Sequence, residues 1–166
     1  RAGEDMVCTF TNQINNRRMT GGGSVFKGDP KSNLTRTTHG FELHCNVLDL
    51  PNNLEINWAG DPTAKGPASD NNFKLTVLDT ADCFQDASVP GPGKPKNSTF
   101  NTFVGTGHGR LNNGAPNYTI EFTFVDGGEP GGTADTAKYL IKDSDGNIVL
   151  QIDTAAIKQG NQQAHG

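Results

Sequence analysis

The sequence has no run of basic residues longer than Arg17-Arg18, and its 14 Lys and Arg against 18 Asp and Glu leave a formal net charge of -4. The electrostatic footprint of a nucleic-acid binder is therefore missing. No apolar stretch is long enough for a membrane-spanning helix, so membrane insertion is not expected. Cysteine is scarce: Cys8, Cys45 and Cys83 are too few for a disulfide-rich scaffold, and no CxxC spacing offers a zinc or redox site. Histidine is scarce too, and His39, His44, His108 and His165 form no HxH or HExxH pattern, so each reads as an ordinary strand or loop residue. No GxSxG occurs, and Ser24, which follows a glycine run, has no recognisable motif partner. Carboxylate pairs of the glycosidase type cannot be singled out, because too many acidic residues stand beside glycine or proline. The expectation is a protein that is not an enzyme.

Apolar residues are only 33% of the chain, while glycine (21) and proline (9) are abundant among 166 residues. Such a chain affords one thin core and many turns, as in sheets with one dry and one wet face. The apolar residues alternate with polar ones in short, evenly spaced runs. Met6, Cys8 and Phe10 alternate with Val7, Thr9 and Thr11, which predicts a first strand. Gly21-Gly22-Gly23 predicts a backbone that bends or packs closely before a short strand at Val25-Phe26. Further strands are expected at His39 to Leu48, Leu54 to Trp58, Phe73 to Leu78, Thr99 to Gly107, Tyr118 to Val125, Lys138 to Lys142 and Ile148 to Asp153. Asn113-Gly114 is the strongest hairpin signal, and Leu50-Pro51-Asn52-Asn53 is a second turn. Asp86 to Asn97, with Pro90, Pro92 and Pro95, reads as an exposed connection. Ala155 to Gln163 fits either one helical turn or a last strand. The expected fold is an all-β antiparallel two-sheet sandwich, jelly-roll or immunoglobulin-like, of about nine to eleven strands.

Cys45 lies in one apolar strand and Cys83 follows another. A bridge between them would staple two sheet elements and, by closing a loop of about 40 residues, contribute on the order of 3–4 kcal/mol. Cys8 is then left over, either as a buried free thiol or as one that pairs between chains. The chain begins Arg1-Ala2-Gly3-Glu4, without an initiator methionine or apolar leader, and is read as a mature secreted form. Sequons at Asn33, Asn97 and Asn117 are weak glycosylation signals.

Acidic loops are the remaining candidates for chemistry, because calcium favours oxygen ligands. Asp143-Ser144-Asp145-Gly146-Asn147 resembles the start of an EF-hand loop but has Thr154 where a twelfth-position glutamate belongs, so a tight hairpin turn is the better reading. Asp126, Glu129 and Asp135 share a glycine-rich loop and form a second weak calcium candidate, with turn chemistry again the simpler account. Calcium is the one cofactor worth testing. Trp58 beside Asn57 and Asp61 could stack on a sugar, yet its alternation with Leu54 and Ile56 points it inward.

The segments Met19-Thr20-Gly21-Gly22-Gly23-Ser24-Val25, His39 to Cys45 (HGFELHC), Pro51 to Trp58 (PNNLEINW) and Phe122 to Gly131 (FTFVDGGEPG) resemble, in order, a bacterial extracellular module of the post-COAP type. The ending Lys158 to His165 is similar to that module's GNxQAH close, so the resemblance covers Met19 to His165. It implies a secreted or surface-anchored β module of unassigned activity with no catalytic residue, and its two cysteines match Cys45 and Cys83. Residues 1–18 precede the pattern. They are expected to form a separate N-terminal strand segment, with the β domain occupying residues 19–166. The segment's alternation and its spare Cys8 suggest an assembly strand, Met6, Val7, Cys8, Thr9 and Phe10, supplied to a neighbouring subunit. The leading expectation is thus an extracellular structural subunit that self-associates into a filament or surface layer. A carbohydrate- or calcium-binding adhesion module is the alternative, and folding back of the segment onto its own domain is the competing arrangement.

Overall fold

The computed structural model describes residues 17–27, 35–59, 71–89, 98–128 and 134–166. Nine strands run in chain order: β1 (Arg18–Lys27), β2 (Thr35–His44), β3 (Asn53–Trp58), β4 (Asn71–Phe84), β5 (Thr102–Leu111), β6 (Tyr118–Val125), β7 (Thr136–Lys142), β8 (Ile148–Ala156) and β9 (Gln159–His165). No helix occurs among the described residues. All neighbours are antiparallel, in the order β8-β7-β6-β5-β4-β3-β2-β1-β9.

That order bears out an all-β antiparallel fold of nine strands but does not confirm the expected two-sheet sandwich: the ladder is one continuous sheet curled into a half-barrel. Alternation dictates only that each strand has one dry face. A strongly coiled single sheet satisfies this as well as two stacked ones do. The coiling has local causes. β4 carries register shifts between Leu75 and Val77 and between Leu78 and Thr80, and such bulges bend and over-twist a strand. Opposite them, the inner face of β5 continues from Phe103 as Gly105, Gly107 and Gly109. A Cβ there would lie 2.5 Å from the Phe122 ring, 2.6 Å from the Leu75 side chain and 2.3 Å from the Phe73 ring, respectively. The missing side chains leave room for rings from β4 and β6 where the sheet folds most tightly.

The core is the concave face. Met19 and Val25 of β1, Phe41 and Leu43 of β2, Leu54, Ile56 and Trp58 of β3, and Phe73 of β4 meet Ile120, Phe122 and Phe124 of β6, all buried. Tyr139 and Ile141 of β7 and Leu150 and Ile152 of β8 close it from the other side. Phe41 and Phe124 stack with ring centroids 4.1 Å apart. Trp58 is a core residue at 7% exposure, as its alternation required, and is unavailable for sugar stacking.

Three local expectations are settled. β1 runs without a bend through Gly21, Gly22 and Gly23, and close packing is what the glycines serve: a Cβ at Gly21 would lie 2.8 Å from the Asn161 carbonyl oxygen and one at Gly23 2.6 Å from the Gln159 carbonyl oxygen. Ala155 to Gln163 makes no helical turn: β8 ends at Ala156, two residues cross, and β9 begins at Gln159. At the β5–β6 hairpin the positive-φ pair is Asn112 (51°) and Asn113 (61°), one residue before the expected Asn-Gly, and the Gly114 amide closes the turn by donating to the Leu111 carbonyl at 2.9 Å. Asparagine tolerates this left-handed region better than most residues, so the turn slides by one place. The Cys45–Cys83 disulfide is formed, with Cα atoms 5.7 Å apart, and ties the residue after β2 to the far end of β4. Arg17 is anchored beside it: the Cys45 amide donates to the Arg17 carbonyl at 2.9 Å, and the Arg17 guanidinium donates to the Cys83 carbonyl at 3.2 Å while lying over the Phe100 ring.

Candidate functional site at the two sheet edges

An open sheet ends in two strands whose outer N–H and C=O groups lack a ladder partner, and those groups either find other partners or recruit another chain. Here the ends are β9 and β8, consecutive in sequence but at opposite margins of the sheet. The connecting residues show how closely the margins approach. The Ile157 amide donates to the Asp135 carbonyl at 3.0 Å and the Lys158 amide to the Ser24 carbonyl at 2.9 Å.

The β9 margin is closed by side chains. Asp126 Oδ2 accepts from the Ala164 amide at 2.9 Å, and Asp135 Oδ2 accepts from the Gln162 amide at 2.8 Å. Alternate residues of a strand point their N–H groups to the same side, so two carboxylates mimic two rungs of a missing strand. Their second oxygens are also engaged, Asp126 Oδ1 with the Gly128 amide at 2.8 Å and Asp135 Oδ1 with the Gly127 amide at 2.9 Å. Both residues are buried, and a buried carboxylate is tolerated when several donors surround it. At the start of β9, Arg36 donates from Nε and Nη2 to Ser24 Oγ at 3.0 and 2.9 Å and from Nη2 to Gln159 Oε1 at 3.1 Å. Ser24 is thus part of a clamp between β1, β2 and β9.

Inside this margin the Gln162 side chain passes over Gly21, where a Cβ would lie 2.9 Å from the Gln162 Cα, and places Nε2 3.3 Å from His39 Nε2. His39 stacks on Phe124 with centroids 5.2 Å apart, and burial among these rings lowers its pKa to about 4. His39 Nδ1 and Gln162 Oε1 have no hydrogen-bond partner among the described residues.

The β8 margin is different. Among the described residues β8 is paired with β7 alone, and no side chain is seen capping its outer amides. Leu150 and Ile152 are buried, Gln151 and Asp153 face outward, and Ile148 at its start is 57% exposed.

The other candidate residues are dispersed. Asp143 Oδ1 accepts from the Asp145 and Asn147 amides at 3.0 and 2.9 Å, and Oδ2 accepts from Asn147 Nδ2 at 3.1 Å, so the turn between β7 and β8 is an Asx-type turn. The Asn147 side-chain contact, together with those amides, holds the Asp143 carboxyl below its usual range. Asp126 and Asp135 do come together, but with backbone donors between them, and no metal-ligand grouping of His, Cys, Asp or Glu is found among the described residues. Glu129 lies outside the described residues, as do Asn33, Asn97, Cys8 and the expected assembly strand Met6 to Phe10; Asn117 is exposed. The histidines occupy separate places. His44 Nδ1 meets the Pro51 carbonyl at 3.0 Å, His108 pairs with Asp79 on the outer face, and His165 Nε2 meets Thr20 Oγ1 at 2.9 Å, with burial as the first cause of its lowered pKa. Sequence reasoning missed the roles of Gln162 and His39. The signal for them is weak, because the strand that carries Gln162 has little apolar content.

Compared with family models, curated proteins and solved structures, the chain has no match.

Proposed function

We propose that the chain is a non-catalytic structural subunit of an extracellular filament or surface layer, polymerised by a strand that residues 6–10 supply to the β8 margin of a neighbour. The observation that carries this is the inequality of the two margins: two buried carboxylates satisfy β9, whereas the nine-residue β8 is paired on one side only among the described residues. A donated strand would supply main-chain hydrogen bonds along β8, with its alternate side chains setting register. The donor is then confined to residues 1–16 and not the expected 1–18, because Arg17 is anchored beside the disulfide and Arg18 opens β1 of the acceptor body; the added strand extends the curled sheet toward the two-layered packing of a sandwich. The Cys45–Cys83 bridge supports an oxidising, extracellular setting. The engagement of Asp126 and Asp135 with backbone amides supports a role without catalysis.

The test is particle size in native material. Mass photometry and negative-stain microscopy are expected to show long polymers that shorten when residues 1–16 are removed. A monodisperse particle near 17.6 kDa in mild buffer would contradict the proposal. The adhesion-module alternative predicts instead a saturable rise in thermal midpoint with glycans or calcium.

A further inference from the structure

The loop between β2 and β3 presents two leucines to solvent, Leu48 at 83% and Leu50 at 79% exposure. Single exposed apolar residues are ordinary, but two on one tip of a braced loop are not. The bracing is extensive. The Leu48 amide donates to Asn46 Oδ1 at 3.2 Å, the Asp49 amide to the Asn46 carbonyl at 3.0 Å, and Asn46 Nδ2 to Asp49 Oδ1 at 3.1 Å. From the other side Asn52 Nδ2 donates to the Asp49 carbonyl at 2.7 Å, and Asn52 Oδ1 accepts from the His44 amide at 2.8 Å. The disulfide at Cys45 fixes the base. A loop held this firmly loses little conformational freedom when its tip is covered, which favours binding through it.

Asp49 between the leucines selects the kind of partner. Burying a carboxylate among lipid chains is costly, so the tip is poorly suited to a bilayer and better suited to a protein surface that offers a cation. Such a surface exists on the same molecule. The outer face of β5 to β8 bears a groove of about 360 Å³ in which Val104 and Leu140 supply apolar walls and Lys138 a cation. Val104 is 37% exposed, and among the described residues Lys138 makes no ion pair, whereas Glu121 in the same groove is held by Lys142 at 3.3 Å. The groove also includes Gln151 and Asp153 of β8, and so runs directly beside the margin assigned above to the donated strand.

The geometry points to a heterologous contact between copies of this chain, in which the Leu48-Asp49-Leu50 tip of one subunit seats in the Val104–Leu140 groove of the next, with Asp49 facing Lys138. Tip and groove are separate patches, so the contact need not close on itself, and repetition builds an open chain. It rests on the proposal that the protein polymerises. It adds a second point of attachment beside the exchanged strand and thereby fixes the rotation between subunits.

The test uses the full chain in four forms: wild type, the double variant Leu48→Ser with Leu50→Ser, Lys138→Glu, and Asp49→Lys combined with Lys138→Glu. Polymer length is read by negative-stain microscopy and folding by thermal midpoint. The leucine variant and Lys138→Glu are expected to shorten polymers about tenfold without moving the midpoint, and the charge swap to restore length. A Leu50→Cys and Val104→Cys pair in a Cys8→Ser background is expected to cross-link between subunits. Long polymers from the leucine variant, with no such cross-link, would overturn the tip-and-groove contact while leaving strand exchange standing. A wild type that stays monomeric would overturn both.

Discussion

The two margins of the sheet meet the same physical problem in opposite ways. At β9 the outer amides of Gln162 and Ala164 are satisfied by Asp135 and Asp126, which precede them by 27 and 38 residues. At β8 the outer side is free among the described residues. An edge that a protein closes with buried carboxylates is one it will not share. An edge nine residues long that begins at an exposed isoleucine and has no outer partner among the described residues is available for pairing, even with two register shifts against β7. The contrast teaches that a short, polar last strand, Gln159 to His165, can be held by designated acceptors instead of by apolar burial.

The comparison breaks most severely where β9 touches β1. Gly160 has φ of +124°, and a Cβ there would lie 2.0 Å from the Gly22 carbonyl oxygen. Gly160→Val is therefore expected to cost about 4 kcal/mol through strain and collision, read as a lowered denaturant midpoint with β9 amides losing protection from hydrogen exchange. Next in size is Asp135→Ala, which strands the buried Gln162 and Gly127 amides. A loss of about 3 kcal/mol is expected by chemical denaturation, with faster exchange concentrated at residues 157–165.

Acid sharpens the contrast. With its pKa lowered from 6.5 to about 4 by burial, His39 stays neutral in the fold while the unfolded chain takes up a proton. The unfolded state binds more protons between these two values, so this contribution to stability is full above pH 6.5, falls as pH drops toward 4, and is constant below that. The expected loss attributable to His39 is about 3 kcal/mol. The groups facing it are Phe124 and Phe41, Tyr139 and the Gln162 amide, with no carboxylate among these contacts to hold an imidazolium. Denaturation at pH 7 and pH 4.5 is expected to show a smaller difference for His39→Gln than for wild type. The smallest effect on stability lies at the other margin: Ile148→Lys, at an exposed site, is expected to stay within about 0.5 kcal/mol of wild type while reducing polymer length.

Much of this architecture was legible in the residues. Tyr118 to Val125 was read as a strand with both ends placed, and Cys45 with Cys83 as the bridge, because alternation and spacing are local facts. β4 ran past its expected end at Leu78 to Phe84, since two bulges interrupt the alternation that marks a strand. The curl into one sheet was not legible: alternation tells which face is dry, and is silent on whether the opposing dry face belongs to the same sheet. Asp126 and Asp135 were picked out as oxygen donors on a loop, but what they accept from lies on β9, and sequence gives no register between a loop and a strand that distant.

Amide hydrogen exchange along β8 and β9 tests the central claim most directly, comparing native polymer with chain lacking residues 1–16. Gln162 and Ala164 are predicted to be protected in both, whereas the outward amides of β8 are predicted to be protected in the polymer and to exchange rapidly in the truncated chain. Equal protection of β8 in both samples, or loss of protection at Gln162 and Ala164 alone, would contradict the account.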